Sequence, residues 1–210
     1  MVFDNVYFIN GTAYAGKSTM VRLLAEKHDG IACEENYHDA LLPDLNKDEF
    51  PCLTYTRDLE DWREFVRRAP EVYEAWYDGV SKECEILELR ILENLCAQGK
   101  RVFVDTNISL ETLKKIARPR NVLIMLADPE ISVRRFFERP DREKQFLYRL
   151  LMEETDPEKV MENFRQGLMR INSPERYDRF LRSGFNVILR DDSRSIEDTL
   201  VLVERAFGLI

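Results

Sequence analysis

The sequence predicts an α/β protein, a three-layer α/β/α sandwich with a five-stranded parallel sheet. Five short apolar runs, typical of strands buried on both faces, alternate with segments that carry the helical repeat of apolar residues. Because parallel neighbours need helical crossovers, this alternation favours helices on both faces of the sheet. The 210 residues are predicted to form one domain, 1–210, with a single substantial core.

The predicted elements follow one another along the whole chain. Strands are predicted at 6–9, 31–33, 102–105, 121–126 and 185–189. Helices are predicted at 17–28, 58–68, 70–98, 109–117, 129–139, 143–153 and 158–171, and from Ser173 and Ser195 onward. Residues 37–57 contain two prolines and several acids and are predicted to be a loop.

Composition narrows the class of partner. Asp plus Glu exceeds Lys plus Arg by 39 to 31, and a net charge of −8 argues against a nucleic-acid or anionic-membrane surface. The four cysteines form no Cys-x-x-Cys pair, so we expect reduced core thiols rather than a zinc or redox site. The chain opens with no leader pattern and no apolar run approaches 18 residues, so we expect a cytoplasmic protein.

The strongest motif lies between the first predicted strand and the helix that follows it. Residues 11–18 read GTAYAGKS, which is the spacing of a Walker A phosphate-binding loop, or P-loop. Gly11 and Gly16 allow the backbone N–H groups to approach phosphate oxygens, and the helix adds its positive dipole end. The alternative is a chance match in a glycine-containing turn, which the flanking strand and helix disfavour.

Within this motif the side chains have distinct predicted roles. Lys17 is placed to reach the β- and γ-phosphates, and the Ser18 hydroxyl to ligate Mg²⁺. The predicted nucleotide-binding residues of the loop are Gly11, Thr12, Ala13, Tyr14, Ala15, Gly16, Lys17, Ser18 and Thr19.

Carboxylates follow two of the predicted strands. Asp105 ends the third strand and has the form of a second Mg²⁺-side acid, although many strands end in Asp simply to start a turn. Glu34 and Glu35 follow the second strand, whose carboxyl end faces the ligand crevice. Adjacent side chains point to opposite sides, so one of the two faces the crevice. We favour Glu35 as the acceptor-side base, with Glu34 as the alternative.

A basic segment interrupts the acidic chain near residue 135. Four arginines fall within nine positions: Arg134, Arg135, Arg139 and Arg142. Cations of this kind stabilise charge on a transferring phosphoryl group. The alternative is a solvated basic helix face.

The chain resembles the small P-loop kinases, namely the nucleoside monophosphate, shikimate and deoxynucleoside kinases. The resemblance is specific at 11–18 and at Asp128-Pro129-Glu130 followed by Arg135 and Arg139. It implies a P-loop NTPase fold that binds ATP and Mg²⁺, with a short lid at about 135–143 and a helical acceptor-binding region at about 37–98. It also implies that Arg135 lies against adenine, that Arg139 reaches the transferring phosphoryl group, and that Arg142 is a further lid arginine.

Two departures bear on the acceptor. Thr106-Asn107-Ile108 follows Asp105 where nucleoside monophosphate kinases have a Gly-Phe-Pro-Arg run, and no arginine directly follows the second strand. Both departures put a phosphate-bearing acceptor in doubt, and further acids after Glu35 would repel a substrate phosphate.

The sequence therefore predicts an ATP-dependent small-molecule kinase that phosphorylates a hydroxyl, such as that of a nucleoside or a shikimate-like compound. The predicted catalytic residues are Lys17, Glu35, Asp105 and Arg139, and the predicted metal ligands are Ser18 and Asp105. One alternative is a nucleoside monophosphate kinase, with Arg57, Arg63 or Arg67 clamping the acceptor phosphate. Another is a nucleotide-dependent switch or ATPase. The expected partners are ATP, a small-molecule acceptor and a second copy of the chain, although the 70–98 helix also suits the core of one chain.

Overall fold

The computed structural model describes residues 2–138 and 142–210. Its five strands are β1 (Val6–Gly11), β2 (Ile31–Cys33), β3 (Val102–Asp105), β4 (Val122–Leu126) and β5 (Asn186–Leu189). They form one all-parallel sheet in the order β2-β3-β1-β4-β5. The α/β class and the five parallel strands predicted from the apolar runs are confirmed.

Helices connect the strands. In chain order they are α1 (Lys17–Lys27), α2 (Pro51–Asp58), α3 (Trp62–Val66), α4 (Pro70–Cys96), α5 (Leu110–Ile116), α6 (Pro129–Arg134), α7 (Arg142–Met152), α8 (Pro157–Ile171), α9 (Pro174–Leu181) and α10 (Ile196–Phe207). Short 3₁₀ helices lie at Tyr37–Asp44, Pro119–Asn121 and Phe136–Glu138. In the described part of the chain, none of these helices is both long and apolar enough to cross a bilayer.

Each face of the sheet has its own apolar core. On β1, Phe8 points to the face covered by α4 and α5, while Ile9 points to the face covered by α1 and α10. The alternation follows from the two-residue repeat of a strand. Helices therefore flank the sheet, an arrangement compatible with a three-layer sandwich.

The predicted loop at 37–57 is wrong, because the structure forms a 3₁₀ helix and α2 there. Pro51 suits the first turn of α2, where its missing N–H costs nothing. The next two N–H groups, of Cys52 and Leu53, donate to the Glu83 carboxylate on α4 at 3.0 and 2.8 Å. This cap comes from 30 residues further along the chain, so local sequence does not show it.

Two other predicted helices are shorter than expected. In place of a helix at 58–68, α3 covers only Trp62–Val66, because the Asp61 side chain accepts from the Arg63 N–H and starts the helix there. In place of a helix at 129–139, α6 ends at Arg134 and a 3₁₀ turn follows.

Candidate functional site

The glycine-rich segment crosses from β1 to α1 at the carboxyl edge of the sheet. Gly16 caps α1 with a φ of 88°, and Gly11 has a φ of 129°. A Cβ at Gly11 would lie 2.0 Å from the carbonyl oxygen of Met125 on β4, so a side chain does not fit there. The backbone of this loop therefore packs directly on the neighbouring strand.

Hydrogen bonds to other segments hold the first half of the loop. The Thr12 hydroxyl accepts from the Ala127 N–H at 2.7 Å, which ties the loop to the end of β4. Tyr14 has a φ of 63°, unusual for a residue with a side chain. Its carbonyl accepts from the Arg190 guanidinium after β5, and its hydroxyl donates to the Arg135 carbonyl at 2.6 Å. Arg190 is a residue that sequence reasoning missed, since no motif marks it.

Lys17, Ser18 and Asp105 meet at the start of α1. The Ser18 hydroxyl donates to the Asp105 carboxylate at 2.7 Å, and Lys17 Nζ lies 3.5 Å from the same carboxylate. Lys17 Nζ also donates to the Thr12 carbonyl at 3.2 Å. The side chains of Lys17 and Asp105 are 12% and 5% exposed, so this ion pair is largely shielded from water.

The environment of Asp105 disfavours its ionised form despite these contacts. Burial raises the pKa of Asp105, the cation of Lys17 and the hydrogen bond from Ser18 oppose that shift, and the negative charge of Glu35 adds to it. Glu35 is therefore close enough to interact with Asp105 electrostatically, as the ends of β2 and β3 are neighbours in the sheet.

These groups surround a cavity of about 200 Å³. It is lined by Ala13, Tyr14, Gly16, Lys17, Ser18, Thr19, Glu35 and Asp105. The volume is below the roughly 300–1,000 Å³ of typical small-molecule pockets, so it suits part of a ligand, such as a chain of phosphates. Glu35 is one of these lining residues. Its neighbour Glu34 is not part of the lining that the described residues form.

A wider depression of about 470 Å³ lies beside α2 and α3. Four of its nine lining residues are acidic, and none is a predicted site residue: Lys47, Asp48, Pro51, Thr54, Tyr55, Asp58, Leu59, Glu60 and Glu64. The smaller cavity is the better candidate, because cation, hydroxyl and carboxylates converge there.

The donor set fits a Mg²⁺ ion held together with nucleotide phosphates. The Ser18 hydroxyl and the Asp105 carboxylate are in contact at 2.7 Å. Mg²⁺ prefers oxygen ligands and is usually bound by one or two protein groups plus phosphates and water. Within residues 2–138 and 142–210, no cluster of three or more His, Cys, Asp or Glu side chains is arranged to hold a metal without a nucleotide.

The predicted arginines are not brought into the cavity wall in the described part of the chain. The Arg135 side chain is 42% exposed and lies 3.6 Å from the Glu138 carboxylate. Arg142 is exposed at the first residue of α7. Arg139 lies outside the described residues, as do positions 140 and 141 of the predicted lid at 135–143.

A buried polar network behind the cavity was not predicted. Glu88 of α4 is fully buried and accepts hydrogen bonds from the Thr106 hydroxyl at 2.5 Å and the Asn107 side-chain amide at 3.0 Å. Burial raises the pKa of Glu88 to about 7, and these hydrogen bonds oppose the shift. One sequence signal was present: Glu88 stands four residues after Cys84 and four before Leu92, on the apolar face of a helix.

The fold and the cavity together define an α/β protein with a candidate site at the carboxyl edge of its parallel sheet, where such folds bind ligands. A comparison with models of protein families finds no match, and a comparison with curated proteins finds none either.

Proposed function

We propose that the protein is an ATP-dependent kinase that transfers a phosphoryl group to a hydroxyl of a small molecule. One observation carries the proposal: the lysine and serine of the glycine-rich loop share a cavity with two carboxylates, Asp105 at the end of β3 and Glu35 just after β2. Phosphoryl transfer needs little beyond positioning and charge stabilisation, and this cavity offers both.

The residues have separate roles in this reaction. Lys17 binds the β- and γ-phosphates, exchanging its present contact with the Thr12 carbonyl for phosphate oxygens. Ser18 and Asp105 would hold Mg²⁺, which supplies charge neutralisation on the phosphates when bound. The acceptor oxygen bonds to the γ-phosphorus, the bond from that phosphorus to the β–γ bridging oxygen breaks, and Glu35 takes the hydroxyl proton.

The charges of the acceptor-side helices favour an acceptor without a phosphate. The three arginines that could clamp a phosphate are each already paired with carboxylates. Arg57 contacts Asp58 at 2.6 Å, Arg67 contacts Glu154 at 2.9 Å, and Arg63 lies 3.6 Å from Glu153. An acceptor phosphate would have to displace these partners while facing Glu35, whereas a hydroxyl gains from the carboxylate.

The test is ATP turnover in the presence of Mg²⁺ with a panel of nucleosides, nucleoside monophosphates, sugars, aminoglycosides and shikimate. Stimulation by one hydroxyl acceptor supports the proposal. Stimulation only by a nucleoside monophosphate would indicate the phosphate-bearing alternative, and hydrolysis that ignores every acceptor would indicate a switch or ATPase.

Variants assign the roles once an acceptor is known. Lys17→Ala should remove most turnover. Glu35→Gln should lower acceptor-dependent turnover by about 10²–10⁴ while ATP affinity stays near wild type. Glu34→Gln is the matched control, because its exposed side chain is not part of the cavity wall described above. Equal activity of the two glutamine variants would remove Glu35 as the base.

A further inference from the structure

We propose that Glu88 is a positioning residue that holds Asp105, the candidate-site acid at the end of β3, through the segment that follows β3, and that its carboxylate also faces the segment that follows β2 and Glu35. The inference rests on the proposed function for its magnesium and acceptor roles. Its geometric part, the fixing of the exit of β3 by one buried carboxylate, stands on the contacts alone.

The contacts on the β3 side are direct. Thr106 and Asn107 follow Asp105 immediately, and both donate to Glu88. The Thr106 hydroxyl donates at 2.5 Å, the Asn107 backbone N–H at 3.1 Å and the Asn107 side-chain amide at 3.0 Å. With both carboxylate oxygens occupied by donors, the chain leaving Asp105 has little freedom to rotate.

The same network continues to the phosphate loop. The Thr106 hydroxyl accepts from the Ile108 N–H at 3.0 Å, and the Ile108 carbonyl accepts from the Asn10 side chain at 2.7 Å. The Asn10 side-chain oxygen in turn accepts from the Gly11 N–H at 2.6 Å. A continuous series of hydrogen bonds thus links Glu88 to the first residue of the glycine-rich loop.

On the β2 side, Tyr37 and His38 follow Glu35 and face the same carboxylate. His38 Nδ1 lies 3.7 Å from Glu88 and forms no hydrogen bond within the described residues. The Tyr37 hydroxyl is buried close enough for the charge of Glu88 to add to the burial that raises the pKa of Tyr37. It falls short of hydrogen-bond geometry, so we count it as an electrostatic neighbour.

Helix capping accounts for two other acids of α4 but not for Glu88. Glu83 caps the start of α2, and Glu85 accepts from the Ser109 N–H and the Thr112 hydroxyl at the start of α5. Glu88 instead bonds to the exit of a strand. A fully buried carboxylate is costly unless it is well hydrogen-bonded, and here the bonds it makes converge on the catalytic edge.

The experiment compares Glu88→Gln with Glu83→Gln, a change of the same chemistry at another buried carboxylate of the same helix, whose hydrogen bonds go to the start of α2 and not to the exit of β3. The substituted amide would present an N–H₂ group where the native Glu88 carboxylate accepts from donors. Hydrogen exchange of the free proteins should be about tenfold faster at the 105–108 amides in Glu88→Gln, and unchanged there in Glu83→Gln. Equal exchange in the two variants would overturn the positioning role.

Calorimetric titration with a non-hydrolysable ATP analogue then tests the link to magnesium. In Glu88→Gln, the factor by which Mg²⁺ tightens analogue binding should be about 10–100-fold smaller than in the wild type, as expected when a partner behind a metal ligand is lost. The affinity for the analogue without Mg²⁺ should be unchanged. Wild-type Mg²⁺ dependence in this variant would refute the magnesium part. Wild-type protein that binds no analogue would instead refute the proposed function, with the exchange result still deciding the positioning role.

A second pair of variants guards against misfolding of Glu88→Gln. Thr106→Val removes the hydroxyl that donates to Glu88, and Thr106→Ser keeps it. Faster exchange and a weaker Mg²⁺ dependence in the valine variant, with recovery of both in the serine variant, support the proposal. Fast exchange and a weak Mg²⁺ dependence in the serine variant as well would contradict it.

Discussion

Glu88→Gln should remove a large pH dependence from the stability of the protein. Burial raises the pKa of Glu88 from an ordinary value of 4.5 to about 7. Between these two values the folded protein keeps a proton that the unfolded chain has lost. The stability contributed by this group is therefore fully present below about pH 4.5 and declines as the pH rises to about 7.

The size of the effect follows from the separation of the two pKa values. At about 1.4 kcal/mol for each pH unit, the free energy of unfolding should fall by roughly 3 kcal/mol across this window. For a chain of this length that corresponds to a fall in Tm of roughly 6–12 °C. Glu88→Gln cannot ionise at this position, so its stability should lack this fall.

The assay is urea unfolding of both proteins at pH 5, 6, 7 and 8, with the difference between them plotted against pH. Other titrating groups cancel in that difference if they respond equally. His38 is an exception, because its Nδ1 lies 3.7 Å from the Glu88 carboxylate. Burial lowers the pKa of His38, so its contribution to stability is lost as the pH falls, which is opposite in sign to the change expected from Glu88. Parallel curves for the two proteins would refute the reasoning. Thr106→Val, which removes a donor to the ionised form, should instead extend the fall to higher pH.

Three further predictions concern the glycine-rich loop. Gly16→Ala should lower the free energy of unfolding by about 1–2 kcal/mol, because φ stays positive although the new Cβ meets nothing within 4 Å. Gly11→Ala should be more destabilising, because its Cβ also meets the Met125 carbonyl. Thermal unfolding compares the Tm values of the two variants. Ser18→Ala should raise the Mg²⁺ concentration needed for half-maximal analogue binding, and an unchanged value would exclude it as a ligand. Tyr14→Phe loses one hydrogen bond to a backbone carbonyl and should lower the free energy of unfolding by about 0.5–1.5 kcal/mol in urea titrations.

Much of the fold is encoded locally and could be predicted from the sequence. The strands appear as apolar runs, and Ser173 and Ser195, from which two helices were predicted, each cap their helix by accepting from the N–H three residues on. The loop at 37–57 was predicted wrongly because α2 depends on a distant cap from Glu83. Judged from the local sequence alone, these prolines and acidic residues fit a loop as well as they fit a short helix.

The candidate site divides in the same way. The glycine-rich loop was predictable from spacing alone, and the structure places Asp105 and Glu35 beside it because β2, β3 and β1 are neighbours. Glu88 was not predicted. Its place in the site comes from the packing of α4 against the end of β3, and a single charged residue on a helix does not reveal which strand end it will meet.

The order of strands in the sheet has a consequence for synthesis on the ribosome. β1 is central, but β3 and β4, the strands that pair with it, begin only at Val102 and Val122. At the usual rate of elongation, roughly 5–20 s pass between the synthesis of β1 and that of β3. Throughout that interval a strand with a buried-type apolar sequence has both of its hydrogen-bonding edges free, which is the situation that favours aggregation of nascent chains. The glycine-rich loop, which needs the carbonyl edge of β4 for its shape, forms only after more than half of the chain has been translated.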